Sequence, residues 1–344
     1  MSKPVAVAVV GYGYWGPNLL RNFRGVAGSR VLYCCDLDDK LLDKVRSQYP
    51  DVQTTTRYAD VLQDPAVDAV VLATPARSHY PLAREALSHG KHVLVEKPLA
   101  LNIQDAEGMI RLAQEHKRLL MVGHSFEYNP AVLKIKELLT AGELGDVFYI
   151  YSTRVNLGRI QQDLNALWSI APHDISILLY LLDAMPLEVR AQGGSYLSKG
   201  IEDVVFLLLR FPGNVIAHVH ASWLDPSKVR RMTIVGSRRM VVYDDVDNEA
   251  KLKMYDKGIV KGGEQVYGEF QMRIRSGDIY VPRIDLTEPL HLECAHFVEC
   301  VRSGTRPRTD GENGLRVVRV LEAAQQSLQR QGAPVEIAAL SGGR

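Results

Sequence analysis

The sequence predicts an α/β protein of two domains. The first is a doubly wound parallel sheet over residues 1–125; the second, over 126–344, is an α/β domain on a mostly antiparallel open sheet. Three observations predict this. Short apolar runs alternate with helical patterns through the first 125 residues, the signature of parallel strands buried on both faces. A glycine-rich turn joins the first of these strands to the first helix. Beyond residue 125 most strands follow one another without helices between them, which suits antiparallel pairing. At 344 residues the chain also exceeds the size at which single cores stop growing.

The elements follow in order. Val5–Val10 is a continuous apolar strand bounded by Gly11, and Asn18–Arg24 is a short helix. Arg30–Cys35 is a second strand ending at Asp36, and Asp39–Tyr49 has helical periodicity. Thr56–Asp60 leads into a helix that stops near Asp64-Pro65. Ala69–Ala73 is a third strand, and Tyr80–His89 a helix closed by Gly90, a favourable residue past a helix end. His92–Glu96 is the fourth strand. Asn102–His116 is a helix whose Asn102 and Asp105 approximate a capping box, and Leu119–Gly123 is the fifth strand.

In the second half, Pro130–Ala141 is a helix stopped by Gly142. Strands are expected at Val147–Val155, Val189–Gly193, Asp203–Phe211, Val215–Trp223, Arg231–Gly236 and Met240–Asp244, with a tight turn at Phe211-Pro212-Gly213-Asn214. Ile170–Leu182, Leu290–Arg302 and Val317–Gln329 are helices. Tyr255–Tyr280, rich in glycine and charge, reads as a strand-rich excursion of the second domain, and Leu340–Arg344 as a frayed tail.

Composition narrows the function. Lys and Arg number 41 against 40 Asp and Glu, a net charge of +1, so no basic footprint for nucleic acid is expected. No stretch approaches the about 18 apolar residues of a membrane span. The four cysteines, Cys34, Cys35, Cys294 and Cys300, lack zinc-ligand spacing. Reduced thiols, no metal and a cytoplasmic location are the expectation.

Gly11-Tyr12-Gly13-Tyr14-Trp15-Gly16 is a G-x-G-x-x-G directly after a strand and opening a helix, the context that gives the pattern meaning. Gly11 permits the tight turn, Gly13 the approach of a pyrophosphate, and Gly16 close helix–strand packing. Asp36 ends the second strand, twenty residues after Gly16. A carboxylate there accepts both ribose hydroxyls and repels a 2′-phosphate, so NAD is expected rather than NADP. Ala73-Thr74-Pro75 lies at the carboxyl edge of the third strand, where Thr74 is placed to bond a phosphate or ribose.

Glu96-Lys97-Pro98 closes the fourth strand. A lysine there can bond a substrate hydroxyl and, near other positive charge, accept a proton. A cis Lys97–Pro98 peptide would aim it inward. Pro172-His173-Asp174 opens the helix 170–182, and histidine suits the base that hydroxyl oxidation needs near neutral pH. Asp174 is a weak candidate to orient His173, since adjacent helical positions diverge. A polar group, Arg154, Asn156, Arg159, Asp163, Asn165 and Trp168, offers a guanidinium for phosphate and an indole for ring stacking.

On these motifs, and on the run from Ala73-Thr74-Pro75 through His79 to Gly90-Lys91-His92-Val93-Leu94-Val95-Glu96-Lys97-Pro98-Leu99-Ala100, the chain resembles the glucose–fructose oxidoreductase / inositol dehydrogenase (Gfo/Idh/MocA) family over nearly its whole length. The resemblance implies a Rossmann domain binding NAD through Gly11, Gly13, Tyr14, Trp15, Gly16, Asp36, Thr74, Pro75, His79, Glu96 and Lys97. It implies a catalytic Lys97, an acid/base His173, and a second domain whose sheet forms dimer and tetramer interfaces. Many members carry an aspartate four residues before the histidine; Ser169 stands there.

Gly13–Asn18 and Ala171–Asp174 resemble members that oxidise C3 of a UDP-N-acetylglucosamine-type sugar nucleotide and hand the ketone to a pyridoxal-phosphate aminotransferase in lipid A or surface-polysaccharide synthesis. Arg154, Arg159, Asn165 and Trp168 would then contact the substrate. Two alternatives stay open: a dehydrogenase of a free polyol or inositol, or a keto-sugar reductase, and a non-catalytic NAD-binding regulatory protein. Retention of both Lys97 and His173 argues against the last.

Overall fold

The structure, a computed structural model, describes residues 3–158, 160–261 and 272–337. Two compact units emerge. One comprises Met1–Tyr128 and Thr287–Glu322, the other Asn129–Leu286 and Ala323–Arg344.

In the first unit, β1 (Val5–Val10), β2 (Ser29–Cys35), β3 (Gln53–Thr55), β4 (Ala69–Leu72), β5 (His92–Glu96) and β6 (Leu120–Gly123) form a parallel sheet in the order β3-β2-β1-β4-β5-β6. Every residue of β1, β4 and β6 is buried, as a strand covered on both faces requires. The helices between them are α1 (Gly16–Gly25), α2 (Asp39–Gln48), α3 (Tyr58–Gln63), α4 (His79–Ser88) and α5 (Ile103–Glu115). The cap foreseen for α5 is present: the Asn102 side chain accepts the Asp105 N–H at 2.8 Å and donates to the Asp105 carboxylate at 2.8 Å.

Two features differ from the sequence expectation. The sheet has a sixth strand, β3, whose three polar residues carry no apolar signal and which forms by pairing with the end of β2. And the expected second domain, running unbroken from 126 to the C-terminus, gives residues 287–322 to the first unit. The reason lies in the helix Pro289–Ser303, whose Leu290, Cys294, Phe297 and Val298 join the core with Val7, Val9 and Phe23. Phe297 meets Phe23 edge to face, centroids 6.1 Å apart.

The second unit carries α6 (Pro130–Thr140), β7 (Val147–Val155), α7 (Ala166–Ser169), α8 (Ala171–Leu182), β8 (Glu188–Gly194), β9 (Val204–Arg210), β10 (Ile216–Ser222), β11 (Val229–Gly236), β12 (Met240–Asp244), β13 (Leu252–Lys261), β14 (Met272–Tyr280) and β15 (Val335–Glu336). The strands form one sheet, β14-β13-β12-β11-β7-β10-β9-β8-β15. All its pairs are antiparallel except β7 with β10. Of the excursion at 255–280, the described residues fall in β13 and β14, which pair antiparallel, and 262–271 lie outside the described residues. β9 alternates strictly between buried and exposed residues beyond its first, so one face of the sheet is covered and the other open. The last two helices of the chain are α9 (Pro289–Ser303) and α10 (Gly311–Gln329). The tail at 340–344 lies outside the described residues.

Candidate active site

The strand order reverses between β1 and β4, so the crevice for a ligand opens at their carboxyl ends. Gly11 leaves β1 there with φ +93°, and a Cβ on it would lie 2.8 Å from the Ala73 carbonyl carbon at the end of β4. Gly16 is held closer still: its Cβ would stand 2.1 Å from the Gly11 carbonyl oxygen. Gly13 differs, since a Cβ there meets nothing within 4 Å. Two glycines are therefore required by the fold, and the third faces open space that a ligand can fill.

Around that space, Tyr14 is 76% exposed and stacks on Trp15 at 6.3 Å. No acidic residue occupies the first turn of α1, so nothing competes with an anion at its N-terminus. Asp36 accepts the Tyr12 N–H at 2.5 Å through one oxygen and the Asp38 N–H at 2.9 Å through the other. These bonds aim the carboxylate and tie it to the glycine turn. An ionised carboxylate has about four lone-pair sites, so acceptor capacity remains for a ribose diol. The residues thus fit an adenine dinucleotide.

Thr74 and Pro75 open the turn after β4, where the Thr74 hydroxyl accepts from Ser78 at 2.8 Å. Ser78 escaped the sequence reading, because a serine in a loop carries no distinguishing signal. His79 is 1% exposed, with Nδ1 2.8 Å from the Pro98 carbonyl and Nε2 2.9 Å from that of Thr74. It clasps the turn after β4 to the turn after β5. Burial lowers its pKa, the two carbonyls oppose this, and the charge of Lys97 adds to the lowering. The ring is therefore neutral at pH 7 and donates to one carbonyl at a time.

Lys97 stands half-buried at the end of β5, and its peptide bond to Pro98 is cis. Glu96 is buried and points back into the unit, accepting the Lys97 N–H at 3.3 Å and the Trp15 indole.

In the second unit, His173 lies half-buried in the first turn of α8, with Pro172 before it. Asp174 does not orient it. The Asp174 carboxylate accepts Arg154 Nε at 2.5 Å and the Ser152 hydroxyl at 2.5 Å, all three residues being buried. This ion pair joins β7 to α8 and engages the Arg154 guanidinium within the unit. Asn165 caps α7 by accepting the Trp168 N–H at 3.1 Å and donates to Glu202 and Gln325. Trp168 is 8% exposed, and its indole N–H donates to Gln325 at 3.1 Å. Ser169, where many members carry aspartate, ends α7. Arg159 lies outside the described residues. Among the described residues no group of three His, Cys, Asp or Glu side chains is arranged to hold a metal ion. Nor is any of their helices long and apolar enough to cross a membrane.

The doubly wound sheet, the glycine turn and the carboxylate after β2 define an NAD-binding protein of the dehydrogenase kind. Residues 5–124 match the model of the oxidoreductase family with an NAD-binding Rossmann fold, and residues 132–242 match the Gfo/Idh/MocA C-terminal domain. The chain belongs to the Gfo/Idh/MocA family of oxidoreductases.

It is 27% identical to the UDP-N-acetylglucosamine 3-dehydrogenase of Acidithiobacillus ferrooxidans, over 77% of this chain and 81% of that one. The solved structure of that enzyme superposes with a TM-score of 0.79 over 95% of this chain and 98% of that one, at 23% identity. The chain is 25% identical to the scyllo-inositol 2-dehydrogenase (NAD(+)) of Bacillus subtilis, over 98% of this chain and 97% of that one. It is 28% identical to the 2,7-anhydro-N-acetylneuraminate hydratase of Mediterraneibacter gnavus, over 62% of this chain and 60% of that one.

Proposed function

We propose that the protein oxidises the C3 hydroxyl of a UDP-N-acetylglucosamine-type sugar nucleotide to the 3-keto sugar, in the cytoplasm, for an aminotransferase that makes a 3-amino sugar. The observation that carries the reaction class is Lys97 at the carboxyl end of β5, in the sheet that binds NAD, on a turn clasped by His79. The substrate class rests on the likeness to the UDP-N-acetylglucosamine 3-dehydrogenase.

Bound NAD supplies the acceptor for the hydride on C3. Lys97 hydrogen-bonds the C3 oxygen and stabilises the negative charge that builds on it. His173 takes the hydroxyl proton, a role that suits an imidazole near neutral pH. The ion pair Arg154–Asp174 fixes β7 against α8 and so sets the first turn of that helix, where His173 stands. Arg159, Asn165 and Trp168 belong to the segment we assign to the sugar nucleotide.

The assay is NADH absorbance with NAD and, in turn, UDP-N-acetylglucosamine, UDP-N-acetylglucosaminuronate, UDP-glucose, myo-inositol and glucose. A 3-amino-sugar-forming aminotransferase with its amino donor pulls the uphill step forward. Turnover confined to the UDP-N-acetylhexosamines is expected. Turnover confined to myo-inositol would favour the polyol reading, which the inositol dehydrogenase likeness supports. Lys97→Ala and His173→Ala should each lower kcat about 10²–10⁴-fold while NAD still binds. Near-normal turnover in either would remove that residue from the mechanism.

A further inference from the structure

His79 stands where two turns meet, and each of its ring nitrogens faces a backbone carbonyl. Nδ1 lies 2.8 Å from the Pro98 oxygen and Nε2 2.9 Å from the Thr74 oxygen. Among the described residues neither carbonyl has a partner other than this ring. A neutral imidazole has one N–H and two acceptors to serve here. One carbonyl therefore goes without a proton from the ring, unless the ring is an imidazolium.

Three features oppose the imidazolium. Burial at 1% exposure lowers the pKa, and the charge of Lys97 lowers it further, against the pull of the two carbonyls. His79 is also the first residue of the ten-residue helix α4. A cation there would meet the partial positive charge of the first-turn N–H groups. The ring is therefore neutral, and its proton sits on one nitrogen.

Burial decides between the two nitrogens. The contact with Pro98 is buried at both ends, and Glu96, Leu99 and Ala100 around Pro98 are buried as well. Thr74 is half-buried beside the exposed Pro75, at the carboxyl end of β4. Its carbonyl can take a proton from outside the protein, whereas that of Pro98 has the ring alone. A buried acceptor without a donor has given up its hydration for nothing. A proton on Nε2 would strand the Pro98 carbonyl; a proton on Nδ1 strands neither.

The two turns also differ in how far they depend on the ring. The turn after β4 has ties of its own. The Ser78 N–H and hydroxyl both donate to the Pro75 carbonyl, at 2.9 and 2.7 Å, and the hydroxyl also reaches that of Thr74 at 2.8 Å. In the turn after β5, the Lys97 N–H reaches the Glu96 carboxylate at 3.3 Å, beyond the usual hydrogen-bond length. The bond from His79 to Pro98, one residue past Lys97, is the firmer tie.

We propose that His79 is a positioning residue, fixed as the tautomer protonated on Nδ1, which donates to the Pro98 carbonyl and so holds the turn that carries Lys97. The Thr74 carbonyl is then left, at the edge of the cofactor crevice, to accept from a donor outside the protein. The inference rests on the reading of Lys97 as catalytic.

The first test is solid-state NMR of the full-length wild-type protein labelled with ¹⁵N-histidine, at pH 7, with and without NAD. The His79 signals are those lost in His79→Asn. The chemical shift of an imidazole nitrogen tells whether it carries a proton. Nδ1 should be protonated and Nε2 bare in both samples. A proton on Nε2, or on both nitrogens, overturns the proposal, and this reading does not depend on how any variant folds or turns over.

The positioning role is tested by two amides. Asparagine sets its N–H where Nδ1 stands, and glutamine sets its own where Nε2 stands. In the NADH assay His79→Gln should lose about tenfold or more in kcat, as a displaced catalytic group does, with the dissociation constant of NAD unchanged. His79→Asn should recover most of that loss. Equal losses in the two variants, as general loosening would give, or a wild-type kcat in His79→Gln, overturns the proposal. Full turnover by Lys97→Ala would defeat the catalytic reading and leave the tautomer standing, so the two failures are distinguishable.

Discussion

Gly13 and Gly16 sit three residues apart in one turn and answer to different demands, which a pair of alanine variants separates. At Gly16 the added methyl would meet the Gly11 carbonyl at 2.1 Å, so the backbone must shift. Gly16→Ala should therefore lose stability, by about 1–3 kcal/mol as overpacked sites do. At Gly13 the methyl meets nothing within 4 Å. Gly13→Ala should unfold in denaturant like the wild type and yet bind NAD at least about tenfold more weakly, about 1.4 kcal/mol, by calorimetry. Wild-type NAD affinity in Gly13→Ala would place the pyrophosphate elsewhere.

Glu127 belongs to the same scale. Burial lifts its carboxyl from 4.5 to about 8, so over that range the folded state holds a proton that the unfolded chain has released. The stabilisation is complete below pH 4.5 and is lost as the pH rises through about 8. Glu127→Gln cannot ionise and keeps one oxygen for Asn313, so it should lose less stability than the wild type between pH 6.5 and 8 in urea titrations. Equal losses would mean that Glu127 is already ionised in the folded protein at pH 6.5.

Among elements, those with strong periodicity were legible in the sequence. Val147–Val155 and Met240–Asp244 have the limits their alternation suggested, and α5 begins at its foreseen cap. β3 was not legible, because three polar residues become a strand only when β2 offers an edge. The destination of α9 was hidden too, since its apolar stripe says that it packs but not on what. The candidate site divides the same way. Local motifs placed the glycine turn and Asp36 from sequence, whereas Ser78, which bonds Thr74, stands in a loop and has no local signal.

Arg154 is an instructive case. Its sequence neighbourhood suggested a phosphate ligand, and its guanidinium is engaged by Asp174, which only the packing of β7 on α8 reveals. Arg154→Met alone leaves Asp174 buried and unpaired and should cost about 3–5 kcal/mol. Arg154→Met combined with Asp174→Leu should recover most of that loss in chemical denaturation. Recovered stability with normal KM for the sugar nucleotide would make the pair structural, while recovered stability with a raised KM would give Arg154 a second role at the substrate.

At the scale of the molecule, the open face of the large sheet is the surface most in need of a partner. On the adjacent strands β7, β10 and β9, the outward positions carry Tyr149 opposite Ile216, His218 opposite Tyr151 and Leu208, and Phe206, whose ring stacks on His218 at 6.2 Å. The five of these other than His218 are each more than 40% exposed. Central strands with such outward rows make a contiguous apolar patch, of the kind that marks an interaction surface.

A second copy of the chain is the occupant we expect, as a homodimer or a pair of dimers. Two-fold pairing brings the same patch from each copy together and so covers both. Tyr151→Asp places an unpaired charge at the centre of the patch, beside His218 in register. In a buried interface that charge is costly, while on an open face it is close to neutral for stability. Light scattering coupled to size-exclusion chromatography should therefore give an oligomer for the wild type and a smaller species for Tyr151→Asp, with NAD affinity unchanged, since the residues we assign to the cofactor all belong to the other unit. A monomeric wild type would refute self-association. An intact oligomer in Tyr151→Asp would move the interface off this face, with the strand pair β13 and β14, where Ile259 and Ile274 are exposed, as the next surface to test.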